Sequence, residues 1–184
     1  MLLNLRRSLV AMAILTVICG IMYPLVETGL SQWWFPSQAN GSITSHGSTL
    51  IGQPWKGAGW FHGRPDADDP MATGPTNYGP NSTALAAAVR AAIKAEAKLG
   101  VDNPPADLVT TSGSGVDPDI SPAAALVQVN AVAKARGLSA AAVHRLVIEQ
   151  ESGPELGFLG DPIVNVLELN EALAKLVAQS GSGG

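Results

Sequence analysis

The chain has 184 residues, a formal charge of −4 and 46% apolar residues. That is about one ordinary domain plus an appendage, apolar enough to build a core, so gross disorder is excluded for most of the length. With Arg6 and Arg7 set aside, nine basic residues face fifteen acidic ones, which argues against a nucleic-acid surface, and the single Cys19 excludes a disulfide framework or a cysteine-based zinc site.

Ser8 to Val26 is a run of nineteen residues without a charge, SLVAMAILTVICGIMYPLV. At roughly 1.5 Å per residue it nearly spans a hydrocarbon core of about 30 Å, and its flanks extend it. Arg6 and Arg7 precede the run and Glu27 follows, so the positive-inside bias puts the N-terminus in the cytoplasm and residues 31–184 outside. No small-x-small cleavage site closes the run, and Ile18 precedes Cys19 where a lipoprotein signal needs a small residue; a retained anchor is the expectation. Pro24 is expected to kink its last turn. Tyr23, Trp33 and Trp34 are placed for the outer interface.

Residues 31–60 read as a Trp-, Gly-, Ser- and Pro-rich neck with one short strand at 48–53. A long loop then runs from Gly63-Arg64-Pro65 through Asp66, Asp68 and Asp69 to Asn81, and loops of that length in a compact domain usually carry function. Ser82 caps an expected helix over 83–99, with Leu85, Val89, Ala92, Ile93 and Glu96 on one face and Gly100 as its stop. Residues 107–111 read as a short strand or turn. Ser121-Pro122 is a hydroxyl cap followed by proline at the first helical position, and that helix runs to Arg136 and Gly137. Ser139 caps the next, with Val143, Leu146 and Val147 as its buried stripe, and Gly153-Pro154 ends it. A strand at 163–167 and a closing helix at 169–178 follow.

The expected fold class is α+β: a cytoplasmic N-terminus (1–7), one transmembrane helix (8–30), the neck (31–60), one mixed extracytoplasmic domain (61–179) and a flexible tail (180–184).

The chemistry on offer is sparse. There is no phosphate-cradling G-x-x-x-x-G-K-[ST] and no G-x-S-x-G nucleophile elbow. His46, His62 and His144 are isolated. Asp66, Asp68 and Asp69 are hard oxygen ligands or simply a solvated acidic turn, and their spacing lacks the glycine and distal glutamate of a calcium loop. Ser114 lies between two glycines, but a nucleophile there needs a base that only the fold can bring. Residues 111–118, TSGSGVDP, are either an anion- or partner-binding loop or an ordinary turn bonding its own backbone. Asn165 and Asn170 flank an apolar strand end and are placed to lock an adjoining loop.

Laid end to end, these segments resemble one family: the C subunit, KdpC, of the Kdp potassium-transporting ATPase. The likeness rests on the basic-flanked apolar helix, Ser48-Thr49-Leu50-Ile51-Gly52-Gln53, Phe61-His62-Gly63-Arg64-Pro65, the stretch from Ser112 to Pro122, Val132-Ala133-Lys134-Ala135-Arg136-Gly137-Leu138, Leu156-Gly157-Phe158-Leu159-Gly160, and Asn165-Val166-Leu167-Glu168-Leu169-Asn170. Each motif is weak alone; their common order is specific.

The resemblance implies a non-catalytic accessory subunit in a bacterial inner (plasma) membrane complex. Its partners are an ATP-hydrolysing P-type subunit, a channel-like potassium-carrying subunit and a small membrane subunit. It implies a catalytic chaperone that raises the ATP affinity of the hydrolysing subunit, with Gln128 matching the glutamine tied to nucleotide. No cofactor is expected to be tightly bound, and no metal; ATP enters through the resemblance alone. The sequence departs from the family at Asn130-Ala131, where a Pro-Arg pair is commoner, and at Asp119, where His is frequent, which weakens a direct phosphate contact. Since the domain is expected outside and ATP is inside, the effect on ATP is expected to be indirect. Partner contact is expected at Trp33, Trp34, Phe61, Gly63, Arg64, Pro65, Ser112, Gly113, Ser114, Gly115 and Asp117, with Gly63 and Gly113 supplying backbone freedom. The alternatives are a free-standing anchored module binding a solute or cell-wall fragment, and an anchored hydrolase using Ser114.

Overall fold

A computed structural model describes residues 2–66 and 73–181 of the chain. Contacts divide it into two compact units, Met1–Ile43 and Thr44–Gly184.

The first unit is one continuous helix, Leu2–Trp34, long and apolar enough to cross a membrane. Two α-helical stretches, α1 (Leu2–Val17) and α2 (Tyr23–Trp34), are joined by a π-helical turn, Ile18–Met22. Pro24 explains the turn. It has no N–H to give to the preceding turn and its ring crowds the carbonyl four residues back. Widening the helix relieves both, and Tyr23 N–H bonds the carbonyl of Ile18, five residues earlier. The expected kink is thus a change of winding. Helix formation continues past residue 30, the expected end, to Trp34, whose ring stacks on Trp33 at 5.8 Å. A short helix, α3 (Pro36–Ala39), follows.

The second unit begins with a minimal hairpin, β1 (Ile43–Thr44) and β2 (Gly47–Ser48). The expected strand at 48–53 is not a strand: it breaks into a turn, Ile51 N–H to Ser48 C=O, and isolated bonds to distant loops. Nor do residues 44–60 stand apart as a neck, since Trp55 and Trp60 pack against the core. Their rings lie 4.9 Å apart, and the Arg136 guanidinium sits 3.9 Å over Trp60.

Helix α4 (Thr83–Leu99) starts at Ser82, whose hydroxyl accepts from Leu85 N–H, and stops at left-handed Gly100. Helices α5 (Pro122–Arg136) and α6 (Ala140–Glu149) have the expected serine caps, Ser121 and Ser139. A three-stranded antiparallel sheet has the order β3-β5-β4, with β3 at Asp119–Ile120, β4 at Glu151–Ser152 and β5 at Ile163–Asn165. Helix α7 (Val166–Gly181) starts three residues earlier than expected, because the Asn165 side-chain oxygen accepts Glu168 N–H and starts the helix there. The expected tail is helical as far as Gly181; residues 182–184 lie outside the described residues.

The core lies where α5, α6 and α7 meet the central strand β5. Val132, Val143, Val147, Val164, Leu169 and Leu173 are all buried there, and Phe61 joins them at 0% exposure.

Candidate functional site

Residues 60–66 run through the domain without belonging to the sheet. Two buried amides replace the missing strand neighbours. Asn170 on α7 accepts Phe61 N–H at 2.9 Å and donates to Phe61 C=O at 2.9 Å. Gln128 on α5 accepts His62 N–H at 2.8 Å and donates to His62 C=O at 3.0 Å, with a second donation to Ala124 C=O. A primary amide carries both a donor and an acceptor, so it pairs with both sides of one residue's backbone. That satisfies main-chain groups that would otherwise be orphaned in the core.

The clamp delivers Arg64 and Asp66 to a second loop, residues 110–117. The Asp66 carboxylate accepts Ser112 N–H at 2.7 Å, the Ser112 hydroxyl at 2.6 Å and Asp117 N–H at 2.9 Å. Ser112 Oγ in turn accepts Gly115 N–H at 2.8 Å and lies 3.1 Å from Ser114 Oγ. The Arg64 guanidinium donates to Thr111 C=O at 3.2 Å and Thr110 Oγ1 at 3.4 Å, and sits 3.7 Å from Asp117. Asp66 is therefore a latch between the loops, and Arg64 a partly exposed cation fixed on top.

Two glycines are required by close approach. A Cβ on Gly115, which has φ +73°, would sit 2.8 Å from Gly74 C=O; one on Gly52 would sit 2.5 Å from Asp117 C=O. Gly63 and Gly113, expected to give freedom, have no left-handed backbone.

Under Arg64 lies a cleft of about 200 Å³, lined in part by Trp55, Arg64, Glu96, Asp117 and Val166. Glu96 is buried, and its Oε2 has no partner among the described residues, so burial pushes its carboxyl above the usual carboxylate range. Below it, Asn165 Nδ2 donates to Thr49 C=O and to Asp119 Oδ1, both at 2.9 Å. Burial raises the Asp119 carboxyl, with the Asn165 bond opposing.

The structure thus brings Gly63, Arg64, Pro65, Ser112, Gly113, Ser114, Gly115 and Asp117 into one locked pair of loops. It buries three of the expected residues. Phe61 is a core residue with no surface to offer a partner, because the Asn170 clamp pulls its backbone inward. Ser112 is buried and its hydroxyl is spent inside the loop. Gln128, at 1% exposure, has its amide turned onto the His62 backbone. Ser114 Oγ bonds a hydroxyl and accepts Val116 N–H, and no imidazole is among its recorded partners. Asp66 serves the latch; Asp68 and Asp69 lie outside the described residues. Trp33 and Trp34, at 75% and 61% exposure, close the long helix of the first unit.

Sequence reasoning treated Asp66 as one of a charge cluster. The signal that singles it out is its place two residues after Arg64, facing a loop of amides and hydroxyls. Glu96 was read as one more residue of a helix face; its placement on the apolar stripe was the clue.

Comparison with known proteins follows the same residues. The family model described as the K+-transporting ATPase c chain, KdpC, matches residues 5–175. The chain is 48% identical over 187 residues to the potassium-transporting ATPase KdpC subunit of Klebsiella pneumoniae (strain 342), covering 93% of this chain and 96% of that one. It is 45% identical over 182 residues to the subunit of the same name from Acidobacterium capsulatum, at 94% and 98% coverage. Against that of Sorangium cellulosum it is 48% identical over 186 residues, again at 94% and 98%.

Proposed function

The chain belongs to the KdpC family of potassium-transporting ATPase c chains, and from that premise we propose that it is a single-pass, non-catalytic subunit whose outer domain docks on its partners through the 61–66 and 110–117 loops. The accessory role in a potassium transporter follows from the family. The rest is a reading of residues.

Arg6 and Arg7 on one side of the helix support a cytoplasmic N-terminus, with residues 31–184 outside a bacterial inner membrane. There the domain covers the outer potassium entrance of a channel-like subunit and stabilises its assembly with the P-type and small membrane subunits. The observation that carries the docking surface is the Asp66 latch. Three charge-assisted bonds make the two loops one body, so a partner meets Arg64 in a fixed position at little ordering cost.

ATP affinity of the hydrolysing subunit is then raised indirectly. A cover that binds one conformational state better than another shifts the equilibrium of the whole assembly, and linkage passes that shift to the nucleotide site. The commitment of Gln128 to His62 and Ala124 favours this over a nucleotide held by that side chain.

Two measurements test the reading. External protease on intact spheroplasts should digest the domain; protection would overturn the placement. Purification of the C-terminally tagged chain from potassium-limited membranes in mild detergent should recover a P-type ATPase and a channel-like subunit. Recovery of the chain alone would overturn the accessory role.

A further inference from the structure

The most exposed apolar side chains of the second unit do not belong to these loops. They lie on the connection between β4 and β5, the hairpin at the sheet edge. Leu156, Phe158 and Leu159 are 83%, 78% and 59% exposed. Solvated leucines and phenylalanines on a floppy loop would mean little, but this loop is built. Glu155 and Leu159 exchange both main-chain bonds at 2.9 Å, which closes a three-residue tip of Leu156, Gly157 and Phe158. Phe158 N–H adds a bond to Glu155 C=O, and Gly157 N–H one to Pro154 C=O. Leu156 and Gly157 are consecutive left-handed residues, at φ 54° and 82°. Such a pair in a hairpin turn favours Asn-Gly. Leucine stands at the first position despite the strain its Cβ adds in the left-handed region.

The charge along this stretch of chain is of one sign. Glu149, Glu151, Glu155 and Asp161 are exposed, and no Lys, Arg or His occurs between residues 146 and 174. We infer that this loop is an anchor that seats Phe158, flanked by Leu156 and Leu159, in an apolar pocket rimmed by Lys or Arg on another protein subunit. The inference rests on the accessory role proposed above and adds a second contact to it.

The charge argues for a protein rather than a bilayer. Interfacial segments carry basic residues and Trp or Tyr at the headgroup level, and four carboxylates oppose anionic lipid. A second copy of the chain is the weaker occupant as well. A loop inserted into a different patch of an identical molecule makes a head-to-tail contact that does not close. A rigid aromatic knob with its backbone already ordered is the form that interface anchors take.

The test uses the full-length tagged chain with its membrane partners. Phe158→Ala should leave thermal unfolding unchanged, because the side chain is exposed, yet lower recovery of the co-purifying subunits about tenfold. Glu155→Lys should weaken the complex and reduce its sensitivity to added salt, since it removes one of the screened attractions. A photo-crosslinking phenylalanine at position 158 should label one partner subunit beside basic residues. Unchanged recovery in Phe158→Ala would overturn the anchor alone, while failure of the wild-type chain to recover any subunit would overturn the accessory role itself. Crosslinks to lipid, with Phe158-dependent flotation on phosphatidylcholine–phosphatidylglycerol vesicles, would overturn it in favour of a membrane contact. Crosslinks to the same chain, with Phe158-dependent self-association in sedimentation, would overturn it in favour of a second copy.

Discussion

Replacing Asn170 tests the amide clamp most directly. Both Asn170 and Phe61 are 0% exposed, and the two bonds between them are each 2.9 Å. Asn170→Ala leaves a buried N–H and a buried C=O without partners, each costing about 1–3 kcal/mol. The lost carboxamide volume adds about 1 kcal/mol as a cavity. The sum, about 3–7 kcal/mol, is a large part of the 5–15 kcal/mol typical of whole proteins. Asn170→Asp separates the bonds. An ionised aspartate still accepts Phe61 N–H but turns a negative oxygen on Phe61 C=O. Burial and that repulsion raise its pKa in the folded state above the unfolded value of about 3.9. A carboxyl raised in this way stabilises the fold fully below the unfolded pKa and loses the contribution as pH rises through the folded one. Protonated aspartate donates one bond and accepts the other, as asparagine does. Urea unfolding of the detergent-solubilised chain, followed by near-UV circular dichroism, should therefore show Asn170→Asp near wild type around pH 4 and strongly destabilised at pH 8. Asn170→Ala should be destabilised at both. A cost below about 1 kcal/mol for the alanine, or a pH-independent deficit for the aspartate, would refute the clamp.

Four further outcomes follow from the same geometry. Arg64→Ala should cost about 1 kcal/mol or less in stability, since the side chain is partly exposed and its bonds are long, yet lower potassium uptake at limiting potassium; unchanged uptake would count against its docking role. Gly115→Ala should destabilise the domain by about 1–2 kcal/mol or more, from the left-handed backbone and the contact with Gly74, visible as a lower melting temperature. Glu96→Gln should stabilise the domain at neutral pH, because burial disfavours the charged form of the wild-type carboxyl; the gain should shrink as pH falls towards the unfolded value of 4.5, and a pH-independent gain would refute it. Glu171 is held below its ordinary range by the Thr44 hydroxyl and then by His46, so its contribution is present above pH 4.5 and lost as pH falls through its folded pKa; Glu171→Gln should remove that acid limb from the stability profile, with a small effect because its His46 partner is exposed and the pair is screened.

The local rules of the chain were legible where they are written in neighbouring residues. Ser82, Ser121 and Ser139 mark three helix starts, and Gly100 and Gly137 two ends, because caps are decided within one turn. The strands were legible only at β5. Two-residue strands such as Asp119–Ile120 and Glu151–Ser152 are too short to show alternation, and they exist because β5 offers them a partner. The site divided in the same way. Arg64, Ser114 and Asp117 could be picked out as polar groups on loops. Asp66 could not be separated from its acidic neighbours, because its partners are backbone N–H groups 46 and 51 residues away. Gln128 stood out only through the family resemblance and Asn170 as a residue flanking an apolar strand end, but what they bind is a main chain, and backbone leaves no residue signature.

That last point bears on how the domain works. A segment outside the sheet normally obtains its order from neighbouring loops and moves with them. Here residues 61 and 62 take theirs from two helices of the core, through side chains that are 1% exposed or less. Arg64 is two residues beyond the second clamp, so its position is set by the core in which α6 packs against both α5 and α7 rather than by the surface. Asp66 then passes the same order to the 110–117 loop. The backbone geometry of a surface built this way should respond weakly to surface mutation and strongly to core mutation. Loss of docking in a folded Asn170→Asp chain at pH 8, with recovery near pH 5, would separate that transmission from direct contact.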